Sequence, residues 1–184
     1  MATTPSNMLP LGTIAPDFAL PDTVSGNTQT LSELQGDKGT VIMFICNHCP
    51  YVLHVLSGIL SLSEDYQSKG ISFVAISSND VVKYPADAPD KMKELATERG
   101  FNFPYLFDES QEVARAYQAA CTPDFMVFDA DLTCVYRGRM DGSRPGSNVP
   151  VSGEDIRNAL EAILANQQVA GEQIPSIGCN IKWK

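Results

Sequence analysis

The sequence predicts an α/β fold in which helices cover both faces of a mixed central sheet. Three observations carry this expectation. Two near-continuous apolar runs, residues 40–46 and 71–76, suit strands buried on both faces. Between them, a segment from Pro50 to about Lys69 places Val52, Val55, Leu56, Ile59, Leu62 and Tyr66 at spacings of three and four, which makes one apolar helix face. Further on, residues 125–128 and 133–139 flank the turn Asp129-Ala130-Asp131 as the arms of a hairpin would. A strand–helix–strand crossover followed by a hairpin requires parallel and antiparallel neighbours in one sheet.

The elements follow in order. Residues 15–20 read as a short extended leading segment, part of an N-terminal extension to the core. Residues 27–31 suit an edge strand and 32–35 a helical turn. The first central strand, the long helix and the second central strand follow, with Gly70 as the helix stop. Ser77-Ser78-Asn79-Asp80 opens a polar loop containing Pro85 and Pro89. A helix spans about 90–99, closed by Gly100, and Tyr105-Leu106-Phe107 is extended. Ser110 is placed to cap a helix reaching Tyr117, with Glu112 in its first turn. After the hairpin, Ser152 starts a last helix to about Asn166, with Glu154 and Asp155 in its first turn. Residues 167–184 show no period and read as a tail. The expectation is one domain over residues 1–184, with its core at about 11–166.

Composition bounds the function. The 184 residues are 43% hydrophobic and 19% charged, as in an ordinary globular protein with a real core. The net charge of −9 argues against nucleic acid and anionic membrane as partners. No apolar run is long enough to span a bilayer. Residues 1–10 lack the basic start and apolar core of a signal peptide, so the expected location is cytoplasmic. Five cysteines cannot all pair, and in a reducing compartment a CxxC points to catalysis.

That CxxC is Cys46-Asn47-His48-Cys49-Pro50, set between a buried strand and the start of a helix. A helix N-terminus offers unpaired N–H groups and a positive dipole end, both of which favour a thiolate. Such sites lower a cysteine pKa from about 8.5 to roughly 3.5–7.5. Two intervening residues let the sulfurs meet across one turn, so a disulfide can open and close with little backbone movement. CxxC also forms half of many zinc sites, but these bring a second ligand pair. Here Cys121, Cys134 and Cys179 are isolated, and His48 and His54 are the two histidines.

With Thr122-Pro123 ahead of a later strand, this arrangement resembles the thioredoxin superfamily. Gly12-x-x-Ala15-Pro16-Asp17-Phe18 resembles the N-terminal signature of its peroxiredoxin and TlpA-like branch, AhpC/TSA. The CNHCP motif, Cys121-Thr122-Pro123-Asp124 and Gly178-Cys179-Asn180-Ile181-Lys182 look like a peroxiredoxin-like group in that branch. The resemblance implies a thioredoxin-like fold and a cis Thr122-Pro123 bond facing the dithiol. It implies Cys46 as an exposed attacking thiolate and Cys49 as the deeper resolving thiol. His48 stands where disulfide isomerases carry a histidine that stabilises the thiolate, so the pair should be more oxidising than thioredoxin's.

There are departures. Ile45 replaces thioredoxin's Trp, and Thr40 replaces its buried carboxylate, so the proton acceptor is missing or comes from elsewhere. With Cys49 aligned to the peroxidatic cysteine, Cys46 and Ile42 replace the peroxiredoxin threonine and proline, and the activating arginine falls near Pro123.

The expected function is a thiol–disulfide oxidoreductase acting on protein or small-molecule disulfides, reduced by a thioredoxin- or glutathione-type donor, with no cofactor or metal. The alternatives are a thiol-dependent peroxidase, a metallochaperone like the SCO copper proteins, which use CxxxC and a distant histidine, and a redox-silent scaffold. Cys121, two residues from Pro123, is either a further resolving thiol or a small buried residue; Cys134 reads as inert core. Cys179 is either exposed and reactive or held down by Ile181 and Trp183. His54 reads as a helix-face residue. Arg137, Arg139, Asp141 and Arg144 form either an anion site or a solvated hairpin exit.

Overall fold

The computed structural model describes residues 3–184; Met1 and Ala2, the start of the stretch read for a signal peptide, lie outside the described residues. The chain runs β1 (Thr3–Pro5), β2 (Ala19–Pro21), β3 (Thr28–Thr30), α1 (Leu31–Leu34), β4 (Gly39–Phe44), α2 (Pro50–Gln67) and β5 (Ile71–Ser77). A 3-10 turn (Pro85–Asp87) leads into α3 (Pro89–Arg99), β6 (Tyr105–Phe107), α4 (Glu112–Ala116) and β7 (Cys121–Thr122). Next come β8 (Asp124–Asp129), β9 (Cys134–Gly138), α5 (Glu154–Leu164) and β10 (Ile177–Asn180).

Five strands form the central sheet in the order β6-β5-β4-β8-β9. β4 pairs parallel with β5 and antiparallel with β8, so the sheet is mixed as predicted. Alternation along β4 divides the core. Val41, Met43 and Ile45 meet Val52, Val55 and Ile59 of α2, Met92 of α3 and Leu160 of α5. Ile42 and Phe44 meet Leu31 of α1, Ala114 of α4, and Leu9, Ala15 and Phe18 of the N-terminal segment. Helices therefore cover both faces, and the continuous apolar run of β4 is explained by burial of all six of its residues.

Three expectations need correction. Ser110 does not cap α4: Gln111 holds that position in a left-handed conformation, and Ser110, one residue earlier, accepts from the Glu112 N–H through its Oγ. Likewise Gly153 precedes α5, while Ser152 Oγ accepts from the Glu154 N–H. Each serine stands one position ahead of the residue that caps its helix. The larger correction concerns the tail. Residues 177–180 form β10, the middle strand of a second sheet, β1-β10-β7, all antiparallel. β10 pairs Cys179 with Thr122, which brings the end of the chain against the segment before β8.

Candidate redox site

Three segments meet where β4 ends. Cys46 lies just beyond the strand, and Cys49 is the N-cap residue of α2, whose first helical residue is Pro50. The Thr122-Pro123 bond is cis and presents Thr122 to both sulfurs. Cys46 Sγ lies 3.4 Å from Thr122 Oγ1, and Cys49 Sγ lies 3.1 Å from the Thr122 carbonyl oxygen. The third segment is β10. Cys179 Sγ and Cys49 Sγ are hydrogen-bonded at 2.9 Å.

The surroundings of the two CxxC sulfurs differ in sign. The Cys46 S–H bonds to Cys49, and the backbone N–H of Val52 also donates to the Cys49 sulfur. The hydrogen bond from Cys46 is the largest influence lowering the Cys49 pKa, opposed by burial and helped by Cys179. The Thr122 carbonyl favours the protonated form, but the donors and the α2 dipole outweigh one carbonyl dipole. Cys46 is pushed the other way, first by its bond to Cys49, then by burial, then by the negative charge of Asp87. The sequence reading had Cys46 as an exposed thiolate. In the structure Cys46 is 1% exposed and Cys49 is fully buried, and the charge is favoured on Cys49.

His48 lies beside Cys46, with a ring nitrogen within 4.8 Å of its sulfur. Its Nδ1 lies 2.7 Å from Asp87 Oδ2, and its ring stacks on Tyr84 at 5.6 Å. Asp87, fully buried, also accepts from the Asn47 and His48 backbone N–H groups and from Asn79 Nδ2. The Tyr105 hydroxyl donates to Asn47 Oδ1, which pins the same turn from below. The 3-10 turn thus brings a buried carboxylate beside Cys46 from 39 residues beyond His48. No local pattern marks it. Cys46, His48 and Asp87 offer donor atoms within 4.8 Å of one another, a set that could hold a metal ion. A cation there would have to displace the hydrogen bonds that already occupy both Asp87 oxygens.

The remaining candidates separate from this cluster. Cys121 is buried with its thiol towards the carbonyls of Pro123 and Ser176, and burial raises its pKa. Cys134 is core, as expected, with its pKa pushed up to about 11 by burial. His54 on α2 meets Ser143 Oγ at 2.7 Å. The charged hairpin exit is solvated only in part: Arg137 is fully buried beside Asp124, Arg139 is half-buried and pairs with Asp155 at 2.6 Å, Asp141 accepts from three backbone N–H groups, those of Ser143, Ser152 and Gly153, and Arg144 is exposed. The sequence marks Cys179 as either exposed and reactive or held down, but not as a neighbour of Cys49. Its only signal was the Gly178-Cys179 pair: a Cβ at Gly178 would collide with the Thr122 carbonyl, so glycine is what lets β10 approach this closely.

Solved structures similar to this chain lie at two distances. An uncharacterized conserved protein of Geobacillus kaustophilus is 57% identical over 100% of this chain and 97% of its own, with a TM-score of 0.99. A hypothetical protein of Sinorhizobium meliloti 1021 is 43% identical over 98% of both chains, with a TM-score of 0.96. More distantly, peroxidoxin BcpB of Mycobacterium tuberculosis aligns at 22% identity over 84% of this chain and 96% of its own, with a TM-score of 0.63. The thioredoxin domain of a thiol-disulfide oxidoreductase of Bacteroides vulgatus aligns at 16% identity over 83% and 99%, with a TM-score of 0.64. These two show the thioredoxin-like fold. The curated proteins give no match. The AhpC/TSA family matches residues 11–137, from the leading segment through both central strands, the CxxC and the cis-proline, and the chain belongs to that family.

Proposed function

We propose that this protein is a thiol–disulfide oxidoreductase in which Cys49 and Cys46 exchange a disulfide with protein or small-molecule disulfides. The observation that carries this reading is the Cys49 sulfur at the N-terminus of α2, stabilised by donors from Cys46, Cys179 and Val52. As the thiolate, Cys49 attacks one sulfur of a substrate disulfide and releases the other as a thiolate. Cys46 then attacks the Cys49 sulfur and frees the second half of the substrate. Its bond to Cys49, burial and the charge of Asp87 keep Cys46 protonated at rest, and Asp87 stands within reach to receive its proton as it attacks. Thr122 supplies backbone groups beside the sulfurs, and His48 holds Asp87 in place. A thioredoxin- or glutathione-type thiol returns the pair to the dithiol. We further read the chain as one cytoplasmic domain. Among the described residues no helix is long and apolar enough to cross a membrane.

Burial of both sulfurs favours a second reading, a peroxidase for a small oxidant. Against it, Cys46 and Ile42 stand where peroxiredoxins carry the threonine and proline of the peroxidatic loop, and the position of their activating arginine falls near Pro123. One experiment separates the two. Equilibration with glutathione buffers should give a single two-electron transition between Cys46 and Cys49, at a potential above thioredoxin's, about −270 mV. Hydrogen peroxide should oxidise the protein no faster than an ordinary thiol. Rapid stoichiometric consumption of micromolar peroxide reverses the order of the readings.

A further inference from the structure

Cys49 has two thiol neighbours, not one. Cys46 approaches from the end of β4 and Cys179 from β10, and both are hydrogen-bonded to the same sulfur. Cys179 is buried, at 3% exposure, and its strand is fixed on every side. β10 pairs with β7 through Cys179 and Thr122 and with β1 through Cys179 and Thr3. Beyond it, the Lys182 N–H donates to Asn79 Oδ1, and the Lys182 carbonyl accepts from the Asp80 N–H and from Gln111 Nε2. Asn79 also donates to Asp87, so the strap that holds Cys179 and the carboxylate beside Cys46 share an anchor. A thiol held this firmly at 2.9 Å from a sulfur that carries the charge is positioned for exchange, not merely enclosed in core. Cys134, by contrast, faces a backbone carbonyl, and so does Cys121.

We propose that Cys179 is a second resolving thiol for Cys49, so that the site forms a Cys49–Cys179 disulfide as an alternative to Cys46–Cys49. The inference rests on the exchange reading above. In the first step the Cys49 thiolate attacks a disulfide RSSR; the S–S bond breaks, Cys49–S–S–R forms, and RS⁻ leaves to take up a proton. In the second, Cys179 attacks the Cys49 sulfur as its S–H proton passes to the departing thiolate. The Cys49–SR bond breaks and Cys49–Cys179 forms. Two protein thiols lose two electrons in total, and RSSR becomes two RSH. The two products differ mechanically. A Cys46–Cys49 bond stays within one turn, whereas Cys49–Cys179 ties the N-terminus of α2 to a strand 130 residues further on. Oxidation through Cys179 therefore locks the C-terminal strap onto the site.

The test uses the full chain with Cys46→Ser, and Cys46→Ala in parallel in case the hydroxyl disturbs folding. Each reduced variant is treated with one equivalent of oxidised glutathione, and products are mapped by digestion and mass spectrometry. The expected result is two equivalents of reduced glutathione released per protein, no retained glutathione, and a peptide joining Cys49 to Cys179. Adding Cys179→Ser should halve the release to one equivalent and leave a stable Cys49–glutathione adduct. The proposal is overturned if the Cys46 variants stall at that adduct, or if Cys49 joins Cys121 instead. Wild type separates the two levels of the argument. If it forms Cys46–Cys49 while the Cys46 variants stall, only the role of Cys179 is lost; if wild type forms no internal disulfide, the exchange reading fails with it.

Discussion

Cys46 and Cys49 have the same side chain, and their difference lies wholly in what each sulfur faces. Cys49 receives the Val52 N–H and two thiol donors, while Cys46 faces Asp87. A lowered pKa keeps Cys49 ionised as pH falls through the range where a free cysteine is protonated. Iodoacetamide labelling from pH 5 to 8 should therefore show one fast thiol. Cys49→Ser should abolish that phase and Cys46→Ser should retain it; the converse result would restore Cys46 as the nucleophile. Asp87→Asn removes a charge that helps hold Cys46 protonated and leaves one acceptor oxygen, which cannot serve both His48 and Asn79 on one side and the two backbone N–H groups on the other. Cys46 should become more acidic, with labelling at higher pH extending to lower pH. The lost acceptor should cost about 1–3 kcal/mol in urea unfolding. A Cys46 profile unchanged from wild type would remove Asp87 from the mechanism. At this scale the sequence was legible only where the chemistry is local. CxxC and Thr122-Pro123 can be read in place, but Asp87 comes to the site across 39 residues with no pattern to announce it, and Cys179 across 130 with only the glycine before it as a mark.

The elements were legible in proportion to their periodicity. α2 shows six apolar positions at helical spacing and was bounded to within two residues, and β4 and β5 stand out as unbroken apolar runs. β10 has four residues, Ile177-Gly178-Cys179-Asn180, with no alternation and one strong strand former, Ile177, beside two poor ones, Gly178 and Asn180. Its existence depends on partners, since β1 and β7 supply its hydrogen bonds and Gly178 permits contact with Thr122. Gly178→Ala tests whether this contact is as close as described. A Cβ there meets the Thr122 carbonyl, which cannot retreat without moving Pro123 and the Cys49 contact. The variant should lose about 1–3 kcal/mol through overpacking, read as a lower urea midpoint. Its Cys49 labelling should change as the carbonyl shifts. A midpoint equal to wild type would mean that β10 lies further from Thr122.

Across the whole molecule, the net charge of −9 gives no hint of the ionisable groups enclosed within it. Asp124, next to the cis-proline, and Arg137 on β9 are both fully buried, yet their closest ion-pair atoms stand 3.9 Å apart. Asp124 Oδ1 accepts from Ser6, while Oδ2 and the Arg137 guanidinium nitrogens have no hydrogen-bond partner among the described residues. Burial pushes the Asp124 pKa up to about 6, against the opposing pull of Arg137. Because the folded value lies above the unfolded one, the contribution of Asp124 to stability is complete below the unfolded pKa, near pH 4, and is lost as pH rises through about 6. Asp124→Asn removes that titration while keeping the shape of the side chain. The stability of wild type relative to Asp124→Asn should therefore decline from pH 4 to pH 6 and then level off. A shift of roughly two units corresponds to a decline on the order of 2–3 kcal/mol. Urea midpoints for both proteins at pH 4, 5, 6 and 7 measure it directly. Other carboxylates titrate in the same range, but they are common to both proteins and cancel in the difference. A relative stability that rises over this interval would show that Arg137 outweighs burial and holds Asp124 ionised in the fold.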